Sequence, residues 1–347
     1  MSISKTRQSN IELLRCIAIF LILVVHANYF SFGIPTPENI RLFPEINFAK
    51  ILIENISVIC VNVFILISGW FGIHPKFKSI GGFLFQCIFI CFCSYIFYSI
   101  KGNSLSILSV FSPFKESNFI TSYILMYLFT PIMNSFIENS SRKTFQTFLV
   151  FFYFISFTGG WLLFFNDFNV GKSTLSFMGL YLLARFVRIH THIAEIPIQH
   201  LIIMYLIMLL GTTSLVWGVT ILNISDHLSN ILLNITTSYA SPIVVVMSLL
   251  LLLIFSKLNF HSKAINWIAT SAFAVVLIHG KIFAPTGLNG YSSFFQQLYN
   301  NHSLLLFIVL AIASMFGIFF FAVLFDKIRI FIWSKLYIFF SNPQINK

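Results

Sequence analysis

Long apolar runs broken by short polar stretches recur along the whole chain. Measured against the roughly 20 apolar residues that a helix needs to cross a bilayer, they predict spans near 11–31, 51–71, 82–100, 119–137, 145–165, 174–188, 198–221, 235–256, 265–284 and 304–325. Pro242 falls within the eighth run, where its missing N–H must start or kink the helix. No internal repeat, low-complexity linker or second domain is visible, so residues 1–347 are expected to form a single transmembrane domain. The expected fold class is an all-α polytopic membrane protein, a bundle of about ten transmembrane helices. The aromatic stretch Phe331–Phe340, which contains Lys335, is expected to lie along the inner membrane surface.

Ten crossings bring both termini to one side, and the basic residues say which. With the N-terminus inside, about fourteen Lys and Arg fall in cytoplasmic segments, from Lys5 and Arg7 through Lys76, Arg185, Arg188 and Lys257 to Lys347. Six fall opposite: Arg41, Lys50, Lys101, Lys115, Lys172 and Lys281. Both termini are therefore expected in the cytoplasm.

Only 9% of the 347 residues are charged and 58% are hydrophobic. Soluble domains carry roughly 25% charged residues, so little is left for a water-facing domain. The net charge of +11 is not gathered on a soluble basic face, which argues against a nucleic-acid partner and leaves membrane lipid as the surrounding. Cys16, Cys60, Cys87, Cys91 and Cys93 lie in apolar runs without a Cys-x-x-Cys pair and are expected to behave as small core hydrophobes. The first run follows Lys5 and Arg7 as a signal peptide would. It carries Glu12, Arg15 and His26 and lacks a small-residue cleavage site, so it is expected to be a retained span.

Ionisable residues inside a span are costly, so they usually face a bundle interior or a wet cavity. Eleven residues separate Arg15 from His26; at 100° per residue the two share a helix face, about 16 Å apart along the axis. Glu12 precedes Arg15 by three residues, the spacing at which helical neighbours pair. Each residue alone has a plainer reading: Arg15 can snorkel to lipid phosphates, and His26 can be a satisfied core histidine. Together they favour one polar cavity reaching both leaflets. The second run descends from outside to inside, which sets Glu54 and Asn55 near the depth of His26, and Ser68 and Gly69 near that of Arg15. Small residues such as these equally serve close helix packing. The ninth run ends Leu277-Ile278-His279-Gly280-Lys281, placing His279 at a depth comparable with His26. Lys281 either joins both histidines in an outer chamber or touches lipid headgroups.

Two apparent motifs do not survive. Gly171-Lys172-Ser173-Thr174 has the end of a phosphate-binding loop, but Asn166 stands where its first glycine is required. His190, His192 and His200 share one predicted loop without an acidic or cysteine ligand at close spacing, so no metal site is expected.

The segment Asn10-Ile-Glu-Leu-Leu-Arg15, ten further residues and then His26 resembles the opening signature of the membrane acyltransferase-3 family. Asn62-Val-Phe-Ile-Leu-Ile-Ser68-Gly69-Trp-Phe is similar to the family's apolar run ending in Ser-Gly and an aromatic. Tyr123-Ile-Leu-Met-Tyr127-Leu-Phe-Thr-Pro131 resembles its aromatic span closing in proline, and Leu277-Ile278-His279 its late histidine. Cys16 and Glu12 depart from the residues usual at those positions without altering the chemistry. The likeness covers nearly the whole chain and is to the stand-alone members, which lack an attached soluble hydrolase-like domain.

The resemblance implies an enzyme of a bacterial cytoplasmic (inner) membrane. Such an enzyme moves an acetyl group from cytoplasmic acetyl-CoA to a hydroxyl of a cell-surface glycan or lipid-linked sugar. On that reading His26 is the general base or acyl carrier, Arg15 with Ser68 and Gly69 serves the CoA donor, and Glu12 holds Arg15. His279, Glu54 and Tyr123 are then placed to shuttle protons or polarise substrate. A transporter or flippase of a glycan or lipid-linked precursor would use the same intramembrane charges, and a structural protein would use them only to pack helices.

Overall fold

The computed structural model describes residues 7–112, 114, 118–163, 168–192, 195–281 and 287–341. Lys5, Lys115, Asn166, Lys347 and the last residues of the predicted fifth and ninth spans lie outside them. Every predicted run contains helix. In chain order the α-helices are α1 Ser9–Ala27, α2 Tyr29–Phe32, α3 Pro37–Leu42, α4 Pro44–Ser57, α5 Cys60–Phe71, α6 Phe77–Ile100, α7 Asn118–Asn139 and α8 Arg142–Ile155. They continue as α9 Thr174–His190, α10 Ile198–Ile221, α11 Asp226–Thr237, α12 Pro242–Ser256, α13 Lys263–Ala269, α14 Phe273–Ile278, α15 Leu288–Asn301 and α16 Leu304–Ser341. No strand occurs among the described residues.

Six stretches among the described residues are long and apolar enough to cross a bilayer: Ser9–Phe32, Pro44–Phe71, Phe77–Ile100, Phe119–Asn139, Ile198–Ile221 and Leu304–Phe339. The surface agrees, since large apolar side chains such as Phe92, Phe151, Ile207, Val309 and Phe320 are exposed, an arrangement that lipid tolerates and water does not. The chain is an all-α, multi-pass membrane protein. Among the other predicted spans, α8 with 14 residues, α9 with 17 and α12 with 15 are shorter than a full span. Pro242 is at the start of α12, where its missing N–H costs nothing.

Several helices stop inside the bundle, and polar side chains brace the breaks. Asn28 leaves the helical region after α1, and its side chain donates to Lys50 O and to Glu54 Oε2, both at 3.0 Å. Ser57 bonds back to Ile53 O at 2.7 Å where α4 gives way to α5. α16 behaves oppositely. Its 38 residues make a rod about 57 Å long, so Phe331–Phe340 continues the spanning helix and does not form a separate surface helix. No Gly or Pro interrupts residues 318–341, and Asp326 and Arg329, just beyond the predicted span, pair at 2.7 Å while buried.

α1 is the hub. It packs against α4, α5, α12, α13, α14 and α15, which explains why its ionisable residues meet protein rather than lipid.

Candidate active site

At one end of α1, Asn10 donates to Phe255 O at 3.0 Å and Ser9 Oγ accepts from Ser262 N at 2.9 Å, tying the helix start to the α12–α13 connection. Three residues on, buried Glu12 takes Arg15 Nη1 at 2.7 Å on Oε2, and Arg7 approaches Oε1 at 4.0 Å. The Arg15 side chain keeps 27% of its surface open, so pairing leaves part of the guanidinium free for a ligand. On α7 the Tyr123 hydroxyl is 3.4 Å from Ser68 Oγ of α5. The two polar pairs, Glu12–Arg15 and Ser68–Tyr123, come from three helices. Gly69 turns the other way. A Cβ there would stand 2.4 Å from Tyr181 O and 3.0 Å from Ala184 Cβ; its missing side chain lets α9 press against α5 and opens no room for a ligand.

At the far end of α1, His26 Nδ1 lies 2.9 Å from His279 Nε2. The rings are nearly parallel, 12° apart, with centroids 5.0 Å from each other. The nitrogens are too close for face-to-face stacking, so the rings meet edge to edge as an N–H···N hydrogen bond requires. The direction follows from a third group. His279 Nδ1 is 2.9 Å from Val275 O, and a carbonyl can only accept, so Nδ1 carries the proton and neutral His279 offers Nε2 as acceptor. His26 must then donate from Nδ1, which assigns its Nε2 as an unprotonated base. Tyr291 secures the pair, standing edge-on to His279 at 5.3 Å while its hydroxyl donates to Leu23 O at 3.0 Å. His279 is 2% exposed whereas His26 is only partly buried.

Between the two clusters the structure corrects the expectation of one continuous polar cavity. Phe64, one turn from Ser68 on α5, packs edge-on or tilted against Phe119, Tyr123 and Phe273, and Phe83 joins Tyr123 and Phe273, at centroid distances of 5.0 to 6.0 Å. Phe273 precedes His279 by six residues, about 9 Å of helix rise, so these rings occupy the level between the histidines and Arg15. All five are only partly buried.

Not every expected partner arrives. Glu54 bonds to Asn28, not to a histidine, and so fixes the turn after His26. Asn55 donates to Thr213 Oγ1 at 2.8 Å. Lys281 leaves the histidines for Ser112 Oγ at 3.0 Å, beside an apolar cavity of about 350 Å³ that Ile278, Tyr98 and Phe325 help to line. Sequence reasoning missed Asn28 and Tyr291, which carry no charge to mark them. It also gave no site role to Lys172, which lies over the Tyr239 ring at 5.1 Å. Ser173, part of the apparent phosphate loop, is simply the cap of α9, accepting from Ser176 N at 3.1 Å. His192 pairs at 2.9 Å with Glu195, an acidic neighbour that the expectation for this loop left out, and no three His, Cys, Asp or Glu side chains gather as a metal site among the described residues.

Residues 8–326 match the acyltransferase-3 family, described as an acyltransferase domain. No curated protein and no solved structure gives a significant match. The family match takes in both polar clusters, the aromatic layer and every helix that supplies them, and on that match the chain belongs to the acyltransferase-3 family.

Proposed function

We propose that this protein transfers an acetyl group from cytoplasmic acetyl-CoA to a hydroxyl of a cell-surface glycan or lipid-linked sugar in a bacterial cytoplasmic membrane. The chain forms a single domain crossing about ten times with both termini inside, the shorter helices α8, α9, α12 and the broken pair α13–α14 completing the six long stretches. The observation that carries the reading is the hydrogen-bonded histidine pair, which leaves His26 Nε2 free as a base while His279 holds the ring.

In this orientation Arg15 lies on the cytoplasmic side, held by Glu12, where its fork of donors suits the polar groups of the CoA arm. Ser68 and Tyr123 flank that entrance. The arm then passes the partly buried aromatic layer to bring the thioester to His26. His26 Nε2 takes the proton from the acceptor hydroxyl, and the oxygen attacks the thioester carbonyl carbon. The C–S bond breaks, and the thiolate leaves and recovers the proton as CoA. The same Nε2 is also suited to carrying the acetyl group as an intermediate. Glu54, through Asn28, positions the turn that follows His26.

A transporter reading has one observation in its favour: helices that break within the bundle, as at Ser57–Cys60 and Ala269–Phe273. Family membership favours the enzyme. The deciding experiment supplies labelled acetyl-CoA to inside-out vesicles and follows label into glycan. Transfer that disappears with His26→Ala at equal protein abundance supports the enzyme; glycan movement without label transfer supports the transporter.

A further inference from the structure

Arg185 and Arg188 stand three residues apart on one face of α9, at the Arg15 end of the bundle. Neither makes an ion pair among the described residues. Arg185 Nε is buried without a hydrogen-bond partner. Its guanidinium lies against the turn after α5, where Gly72 adopts φ +75 and a Cβ would come 3.3 Å from Nη1. That turn is pinned from two other helices. Tyr181 Oη accepts from Ile73 N at 3.0 Å, Asn134 Nδ2 donates to Ile73 O at 2.8 Å, and Tyr127 Oη accepts from Lys76 N at 3.0 Å. Arg188 donates to Trp70 O and sits over the Trp70 and Phe71 rings at 5.3 and 5.7 Å.

Two like charges held together without a carboxylate repel each other, and an anion relieves that cost. Guanidinium forks match phosphate oxygens in pairs. The exposed Phe71 ring beside them adds a flat apolar surface, which a simple anion has no use for and an aromatic base does. Gly72 is one helical turn beyond Ser68, about 6 Å along the axis, so the pair lies on the approach to the Arg15 cluster.

We infer that Arg185 and Arg188, with the Gly72 turn and Phe71, form a site for the phosphates and base of a nucleotide, the polyphosphate end of the acyl donor. The inference rests on the proposed acetyl-CoA-dependent function. Its test uses full-length protein in phosphatidylcholine nanodiscs, with CoA and 3′,5′-ADP as probes in equilibrium binding. Wild type binds both. Arg185→Gln weakens both by tenfold or more with an unchanged thermal transition, and Arg185→Lys recovers part of the loss. If Arg185→Gln lowers that transition, the Lys variant decides: binding far below wild type without its planar fork supports the site, and wild-type binding overturns the guanidinium's role. CoA binding unchanged in Arg185→Gln overturns the site and leaves the His26 chemistry standing. No binding of either probe by wild type overturns both readings. In nanodiscs containing phosphatidylglycerol, loss of bound anionic lipid from Arg185→Gln without loss of CoA would assign the pair to a headgroup and overturn the nucleotide site.

Discussion

His26 and His279, 253 positions apart in the chain, share one hydrogen bond of 2.9 Å between Nδ1 and Nε2. Because Val275 O receives the proton of His279 Nδ1 at 2.9 Å, the pair has a single sense, with the free lone pair at His26 Nε2. Backbone carbonyl, positioning imidazole and base follow in line.

Removing the base should cost far more than removing its positioner. His26→Ala is expected to slow acetyl transfer by about 10²–10⁴-fold, the usual worth of a general base. His279→Ala should fall between wild type and that variant, and the double variant should be no slower than His26→Ala alone, because the two side chains act as a unit. Rates from the four proteins in one vesicle assay check this; multiplicative losses would show that the histidines work independently.

Gly69 should tolerate no side chain. A Cβ 2.4 Å from Tyr181 O forces α5 and α9 apart, an overpacking cost of about 1–3 kcal/mol. Gly69→Val should lower the thermal midpoint of the purified protein and impair activity through the displaced Ser68–Tyr123 pair. A midpoint equal to wild type would mean that the two helices are not in contact.

Much of this arrangement was legible in the chain. The eleven-residue spacing of Arg15 and His26 and the three-residue spacing of Glu12 and Arg15 follow from helix geometry alone, and the ion pair is present at 2.7 Å. The common depth of His26 and His279 followed from counting along the first and ninth spans, which run the same way, but their direct bond depends on how α14 packs against α1. Lys281 shows the limit: two residues beyond His279, it points to Ser112. The aromatic layer escaped notice because Phe64, Phe83, Phe119 and Phe273 come from four helices and look like ordinary span residues among 44 phenylalanines. The breaks at Ser57–Cys60 and Ala269–Phe273 contain no Gly or Pro to announce them.

Asp326 should matter to stability and not to chemistry. It is fully buried and accepts from Arg329 at 2.9 and 2.7 Å and from Gln86 at 2.9 Å, fastening α16 to α6. Asp326→Ala strands a buried guanidinium, a loss of about 3–5 kcal/mol. Folded yield and thermal midpoint should drop while the rate per folded molecule holds; unchanged stability with lost activity would move Asp326 into the reaction.

Outside the spans, Arg41 donates to Asp226 at 2.8 Å, and that bond holds the Asp226 carboxyl below the usual carboxylate range. A depressed folded pKa makes the tie stabilising above the unfolded value and removes it as pH falls through the folded one. Wild type should therefore exceed Arg41→Ala in thermal midpoint slightly at neutral pH, the pair being exposed, and the two should converge in acid. A gap that widens on acidification would reverse the sign and refute the pairing.

The most direct measurement is 15N NMR of the histidine-labelled protein, with His26→Gln and His279→Gln used to assign the two rings. His26 should show a protonated Nδ1 and a bare Nε2 at neutral pH, with His279 in the same tautomer and its Nε2 shifted by the hydrogen bond. A His26 ring protonated at Nε2, or one whose spectrum is indifferent to His279→Gln, would contradict the paired-histidine base.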